Sequence, residues 1–218
     1  MRFGLVIFDC DGVLVDSEHL GHAVMIEAVR ELGLDIGLGE AMARFRGRRM
    51  NECVIDIERE LGRPVPESFA DDVRARMLDR FRLEMHPVAG IEAVLDELTV
   101  PYCVASNGAM EKIRTTLGGS GLLPRFEGRI FSAYEVGFWK PDPGLFLAAA
   151  AFFQVEPARC AVVEDSLPGI RAALGAGMTA FGYTPPGVGS AKIDIEGVVT
   201  FSSMRELPAL LHAGEEAG

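Results

Sequence analysis

The chain has 218 residues, 49% of them hydrophobic, and a formal net charge of -11, which allows one large domain or a core with a smaller insert. Such acidity argues against a nucleic-acid or anionic-membrane binder, whose affinity comes from Lys and Arg on phosphates. No apolar run reaches the roughly 20 residues that span a bilayer and the start of the chain carries no signal-peptide pattern, so a cytoplasmic protein without nucleic-acid or membrane partners is expected. Cys10, Cys53, Cys103 and Cys160 are widely spaced with no CxxC pair, which predicts reduced, buried thiols and no zinc site.

In chain order, Phe3 to Phe8 is an almost unbroken apolar run that suits a buried parallel strand and ends at Asp9. From Ser17 to Met85 the pattern changes to three helix-period stripes. These are Leu20, Val24, Ala28 and Leu32; Cys53, Ile57 and Leu61; and Phe69, Val73, Met77 and Phe81, the first two stopped by Gly33 and Gly62. Further strands are predicted at 102–105, 129–131, 160–163, 179–181 and 198–201. Helical stretches at 91–98, 112–117, 145–153 and 170–176 separate most of them.

This alternation predicts an α/β fold: a doubly wound, Rossmann-like parallel sheet core with an inserted all-helical cap domain. The core takes residues 1–16 and 86–218, and the cap takes 17–85. Linkers fall near Asp16 and His86-Pro87, and the tail 212–218 is expected to fray.

Four polar clusters follow or end the apolar segments, which is where ligands bind in an open α/β sheet. In Asp9-Cys10-Asp11-Gly12, an extended chain turns both carboxylates to one side. Two acids there repel and lose solvation unless a cation or proton joins them; a solvated turn is the plain alternative. Ser106-Asn107-Gly108 offers a hydroxyl, an amide and backbone N–H groups to an anion, or is simply a turn. Lys140, before Asp142 and Pro143, is either a fixed charge over an anion or a surface lysine. Glu164-Asp165-Ser166 follows an apolar strand and suits a hard cation such as Mg²⁺ or a helix cap.

Together these clusters resemble the haloacid dehalogenase superfamily of phosphohydrolases: DxDGVLVDS at Asp9, SNG at Ser106, KPDP at Lys140 and VEDS at Glu164. The helical insert is similar to the small cap of the subgroup that holds β-phosphoglucomutases and sugar-phosphate phosphatases. Residues 101–108 and 139–143 are similar to bacterial 6-phosphogluconate phosphatases.

The resemblance implies Mg²⁺-dependent hydrolysis of a small phosphorylated metabolite, a sugar phosphate or phosphorylated sugar acid, by a monomer or small homo-oligomer. It makes Asp9 the nucleophile and Asp11 the general acid and base, the latter kept protonated by neighbouring negative charges. Ser106, Asn107 and Lys140 would hold the phosphoryl oxygens. Asp9, the Asp11 carbonyl, Asp165 and, directly or through water, Glu164 would hold the metal.

A haloalkanoate dehalogenase is disfavoured because that branch lacks the second Asp. A mutase is disfavoured because its cap His falls here at Gly21, with His19 and His22 expected to point elsewhere, and its cap Arg falls at Met50. A non-catalytic sugar-phosphate sensor is a further alternative. Arg44, Arg46, Arg48 and Arg49 form a basic cluster, either a charged face or a recognition element for a second anionic group. Arg48 and Arg49 are the expected substrate contacts.

Overall fold

The structure is a computed structural model, and it describes residues 2–45, 48, 50–185 and 193–213. The tail beyond residue 213, Arg46 and Arg49 lie outside the described residues. The first strand, β1 (Leu5–Phe8), leads into four helices: α1 (Ser17–Glu31), α2 (Leu38–Phe45), α3 (Met50–Leu61) and α4 (Phe69–Glu84). The chain then alternates through α5 (Ile91–Glu97), β2 (Tyr102–Ser106), α6 (Met110–Gly119), α7 (Leu123–Phe126), β3 (Ile130–Ser132), α8 (Ala133–Val136) and α9 (Gly144–Phe152). It ends with β4 (Cys160–Glu164), α10 (Leu167–Gly175), β5 (Thr179–Tyr183), β6 (Val199–Phe201) and α11 (Leu207–His212).

The six strands form one parallel sheet in the order β3-β2-β1-β4-β5-β6. All four residues of β1 are buried, because helices cover both faces of the sheet. Val6 and Phe8 point into one apolar layer, with Ile91 of α5 and Ile113 of α6. Leu5 and Ile7 point into the other, with Phe146 of α9 and Ile170 of α10. The two-residue period of a strand thus explains why an unbroken apolar run is needed here. The order reverses at β1, whose neighbours are β2 and β4. Their carboxyl ends flank the crevice where ligands bind in such sheets.

Helices α1 to α4 enclose an apolar cluster of their own, built on Val24, Val29, Phe45, Ile57, Phe69 and Val73. Four helices stand where three stripes are legible in the sequence. Helix α2 buries only Ala41 and Phe45 of its eight residues, too sparse a stripe to register as a period. The two segments expected to be linkers run side by side: Asp16 N–H donates to the His86 carbonyl at 3.2 Å and Val88 N–H to the Leu14 carbonyl at 2.9 Å. The four cysteines are free and buried. Among the described residues no helix is long and apolar enough to cross a membrane.

Helix α4 also packs closely on α6. A Cβ on Gly119 would meet the Phe81 carbonyl oxygen and lie 3.1 Å from the Met85 Cβ. Because the obstacle is backbone, the helices must part to admit a methyl group. Gly119→Ala is expected to destabilise the protein by about 1–3 kcal/mol, measured by urea unfolding; an unchanged midpoint would refute this close packing.

Candidate active site

Asp9 follows the last residue of β1, and its N–H donates to the Val163 carbonyl of β4 at 3.0 Å, which seats it at the carboxyl edge of the sheet. The Lys140 ammonium reaches it from the loop after α8, with Nζ 2.5 Å from Asp9 Oδ1 and 2.5 Å from Glu164 Oε1. All three side chains are buried. Lys140 is therefore no surface lysine. Burial alone would lower its pKa, but the charges of Asp9 and Glu164 outweigh this and hold the ammonium firmly protonated. Burial pushes the Asp9 pKa up to about 7 against the pull of Lys140, with Glu164 and Asp11 adding to the rise.

Asn107 fixes this lysine through the backbone. Its Oδ1 accepts from the Lys140 N–H at 2.8 Å, and its Nδ2 donates to the Lys140 carbonyl at 3.2 Å. Ser106, the last residue of β2, is buried and accepts from the Gly108 N–H at 3.1 Å, which closes a tight turn over the cavity floor.

Glu164 has both oxygens engaged. Oε1 meets Lys140, and Oε2 accepts from the Ser166 N–H at 3.0 Å and hydroxyl at 2.8 Å. A Cβ on Gly169 would collide with that carboxylate. Ser166 caps α10, its hydroxyl oxygen accepting from the Gly169 N–H at 3.1 Å; of the two candidate caps, Ser166 and not Asp165 takes this role. Asp9, Glu164 and Asp165 each place a carboxylate oxygen within 4.8 Å of the others. Three hard oxygen donors at this spacing fit a small divalent cation. Gly12, at φ +81°, packs against the Asp165 carboxylate where any Cβ would sit.

The surroundings of Asp11 differ from the sequence expectation. Its Oδ2 receives the Lys112 ammonium at 2.8 Å and its Oδ1 the Ser17 hydroxyl at 2.5 Å. Burial raises the Asp11 pKa, but Lys112 and Ser17 outweigh it and leave the carboxyl below its ordinary value. Neighbouring anions thus do not keep it protonated in the free site. Lys112 carries no motif signal; its only sequence mark is that it is one of three lysines in the chain, on the first turn of the helix after Ser106.

Asp9, Asp11, Ser106, Asn107, Lys112, Lys140 and Glu164 line one cavity of about 450 Å³ beneath the helices. Its roof includes His22, Met25, Phe45, Arg48, Met50, Met77 and Phe81. His22 therefore faces the cavity, contrary to expectation: at Asp9 plus thirteen it sits beside Gly21, which also lines it. The arginine cluster divides. Arg44 pairs with Glu40 at 3.1 Å, Asp56 at 3.2 Å and Glu60 at 2.6 Å, a tie among helices α2 and α3. Arg48 lines the cavity, its guanidinium donating to the Arg44 carbonyl at 3.0 Å and the Glu52 carbonyl at 3.1 Å. Arg46 and Arg49 are outside the described residues.

A family model for haloacid dehalogenase-like hydrolases matches residues 3–177. The chain belongs to that family. It is 33% identical over 213 residues to the 6-phosphogluconate phosphatase of Escherichia coli K12, covering 97% of this chain and 96% of the relative. A haloacid dehalogenase-like protein of unknown function from Agrobacterium tumefaciens superposes with a TM-score of 0.82 at 34% identity, covering 96% of this chain and 97% of the other. A haloacid dehalogenase family hydrolase of Deinococcus radiodurans R1, solved with bound phosphate and sodium, gives a TM-score of 0.82 at 30% identity, covering 96% and 95%. This haloacid dehalogenase-like enzyme is a phosphatase, as its motifs imply.

The buried ammonium between two carboxylates suggests a direct test. Lys140→Met leaves Asp9 and Glu164 facing each other without a cation. The variant is expected to lose about 3–5 kcal/mol of stability in metal-free buffer at pH 8, read by urea unfolding. Wild-type stability would show that the lysine does not neutralise this pair.

Proposed function

We propose that the enzyme hydrolyses a small phosphorylated sugar or sugar acid in two steps, through an aspartyl-phosphate on Asp9. The observation that carries this reading is the convergence of Asp9, Asp11 and Lys140 in one cavity. An Asp9 oxygen attacks phosphorus, and the bond to the leaving oxygen breaks. Asp11 gives that oxygen its proton, then takes a proton from the water that attacks the phosphoaspartate and releases inorganic phosphate. Asp11 starts as an anion beside Lys112; the arriving phosphate dianion raises its proton affinity, since like charges favour the neutral acid.

Lys140 balances the charge of the attacking carboxylate and of the equatorial phosphoryl oxygens. Ser106 and the turn it closes face the same oxygens, and Asn107 acts chiefly by fixing the Lys140 backbone. Asp9 and Asp165, with the Asp11 carbonyl, would hold Mg²⁺, and Glu164, engaged by Lys140 and Ser166, would join them directly or through water. The ion, when bound, offsets the repulsion between carboxylate and phosphate dianion. The helical segment 17–85 acts as a cap that excludes bulk water, hinged on the paired linkers at Asp16 and His86. Arg48 and Arg49 remain the candidates for a second anionic group. The sugar-acid reading is supported by the likeness to the Escherichia coli 6-phosphogluconate phosphatase.

A phosphoryl-transferring mutase is the second reading, favoured by His22 lining the cavity. Incubation with β-glucose 1-phosphate separates the two: free phosphate marks the hydrolase, and glucose 6-phosphate without free phosphate marks the mutase.

Asp9→Asn is expected to reduce Mg²⁺-dependent phosphate release to background while still binding substrate, as followed by calorimetry. Turnover at the wild-type rate would remove Asp9 as nucleophile. Asp11→Asn is expected to slow glucose 6-phosphate hydrolysis by about 10²–10⁴-fold, and p-nitrophenyl phosphate hydrolysis far less in single-turnover phosphoenzyme formation, because that leaving group needs no proton. Equal losses on both substrates would count against the acid role.

A further inference from the structure

The catalytic cavity does not end under the helices. Arg48, Met50, Asn107 and Lys140 also line a second compartment of about 720 Å³, so the two adjoin. Its other walls are Asn51 and Arg74 on the helical side, and Tyr134, Trp139 and Pro168 on the sheet side. A phosphoryl group and one sugar ring fit the inner compartment, so a monosaccharide phosphate leaves the outer one to water.

The outer walls have a specific chemistry. Tyr134 is 65% exposed and Trp139 is 42% exposed, so two large aromatic rings stand at the entrance of a phosphatase site. Their centroids are 5.6 Å apart at an interplanar angle of 76°. Being nearly perpendicular, they support each other edge to face and offer flat faces singly, not as a parallel pair. A single exposed face suits the C–H side of a pyranose, which is apolar across one side of the ring. A nucleobase can stack on one such face as well, so what favours the sugar is the hydroxyl-directed chemistry of the opposite wall. Opposite the rings, Arg74 and Asn51 supply donors for hydroxyl oxygens. Arg74 is held by Asp71 at 2.7 Å, which limits its swing.

We infer that the outer compartment is a second sugar subsite, and that the enzyme accepts phosphorylated disaccharides whose distal ring lies on the Tyr134 and Trp139 side of the cleft. This rests on the reading of the enzyme as a sugar-phosphate phosphatase. The distal ring takes no part in the chemistry; it binds before and after bond breaking alike, so its loss appears mainly in KM.

The test compares trehalose 6-phosphate with glucose 6-phosphate, with phosphate release measured for the full chain in Mg²⁺. The wild type is expected to hydrolyse both. In Tyr134→Ala and in Arg74→Ala, the ratio of kcat/KM for the disaccharide over the monosaccharide is expected to fall about five- to tenfold, chiefly through KM. These two positions avoid Trp139, whose neighbour is Lys140. An unchanged ratio in both variants overturns the subsite, as does a wild type active on glucose 6-phosphate alone. If Tyr134→Ala instead weakens adenosine 5'-monophosphate hydrolysis and spares the disaccharide, a nucleobase is the occupant and the inference falls. If p-nitrophenyl phosphate is cleaved but neither sugar phosphate nor 6-phosphogluconate is, the sugar-phosphate reading itself fails, and the subsite with it.

Discussion

The ammonium of Lys140 between Asp9 and Glu164 is the interaction on which the site depends. Two buried carboxylates at the edges of adjacent strands repel strongly in a low-dielectric setting, and the sheet places them there because β1 and β4 are neighbours in register. One buried cation makes that arrangement tolerable. The requirement propagates outward: Asn107 clamps the Lys140 backbone from β2, Ser166 holds the free side of Glu164, and Gly169 leaves room for that carboxylate. Four sheet-edge loops are thereby tied to one charge.

The same balance suits the chemistry. Lys140 sets a fixed positive charge beside the Asp9 carboxylate, which in the proposed mechanism must remain ionised while a phosphate dianion approaches. Lys112 plays a parallel part beside Asp11. Two of the three lysines in an arginine-rich chain face one cavity. A compact ammonium makes short contacts to several oxygens without the planar reach that a guanidinium demands. The arginines meanwhile serve mostly at surfaces and between helices, as Arg44 does.

The helical segment closes this polar floor with an apolar roof. Met25, Phe45 and Phe81 are buried and belong to the packing of the helices as much as to the cavity. The polar groups of the roof and its margin are Arg48 and His22 inside and Arg74 and Asn51 outside.

The sequence by itself determined the strands of the sheet and the polar residues at its carboxyl edge. Unbroken apolar runs ending in Asp9, Ser106 and Glu164 are legible because a strand buried on both faces tolerates no polar residue until it leaves the sheet. Three of the four motifs begin where such a run ends, and the fourth, at Lys140, is legible through the family resemblance. What only the tertiary structure decided was the partnering of side chains far apart in the chain. Nothing local to Lys112 marks it as the partner of Asp11, more than a hundred residues away. Nothing local to His22 says that its helix turns it inward, or that Arg44 is spent on three acids while Arg48 lines the cavity. Helix α2 leaves no mark in the sequence because two buried residues set no period. Strand positions follow from solvation, which each residue senses alone; ion pairs and cavity walls depend on how the helices pack, and that is a property of the whole fold.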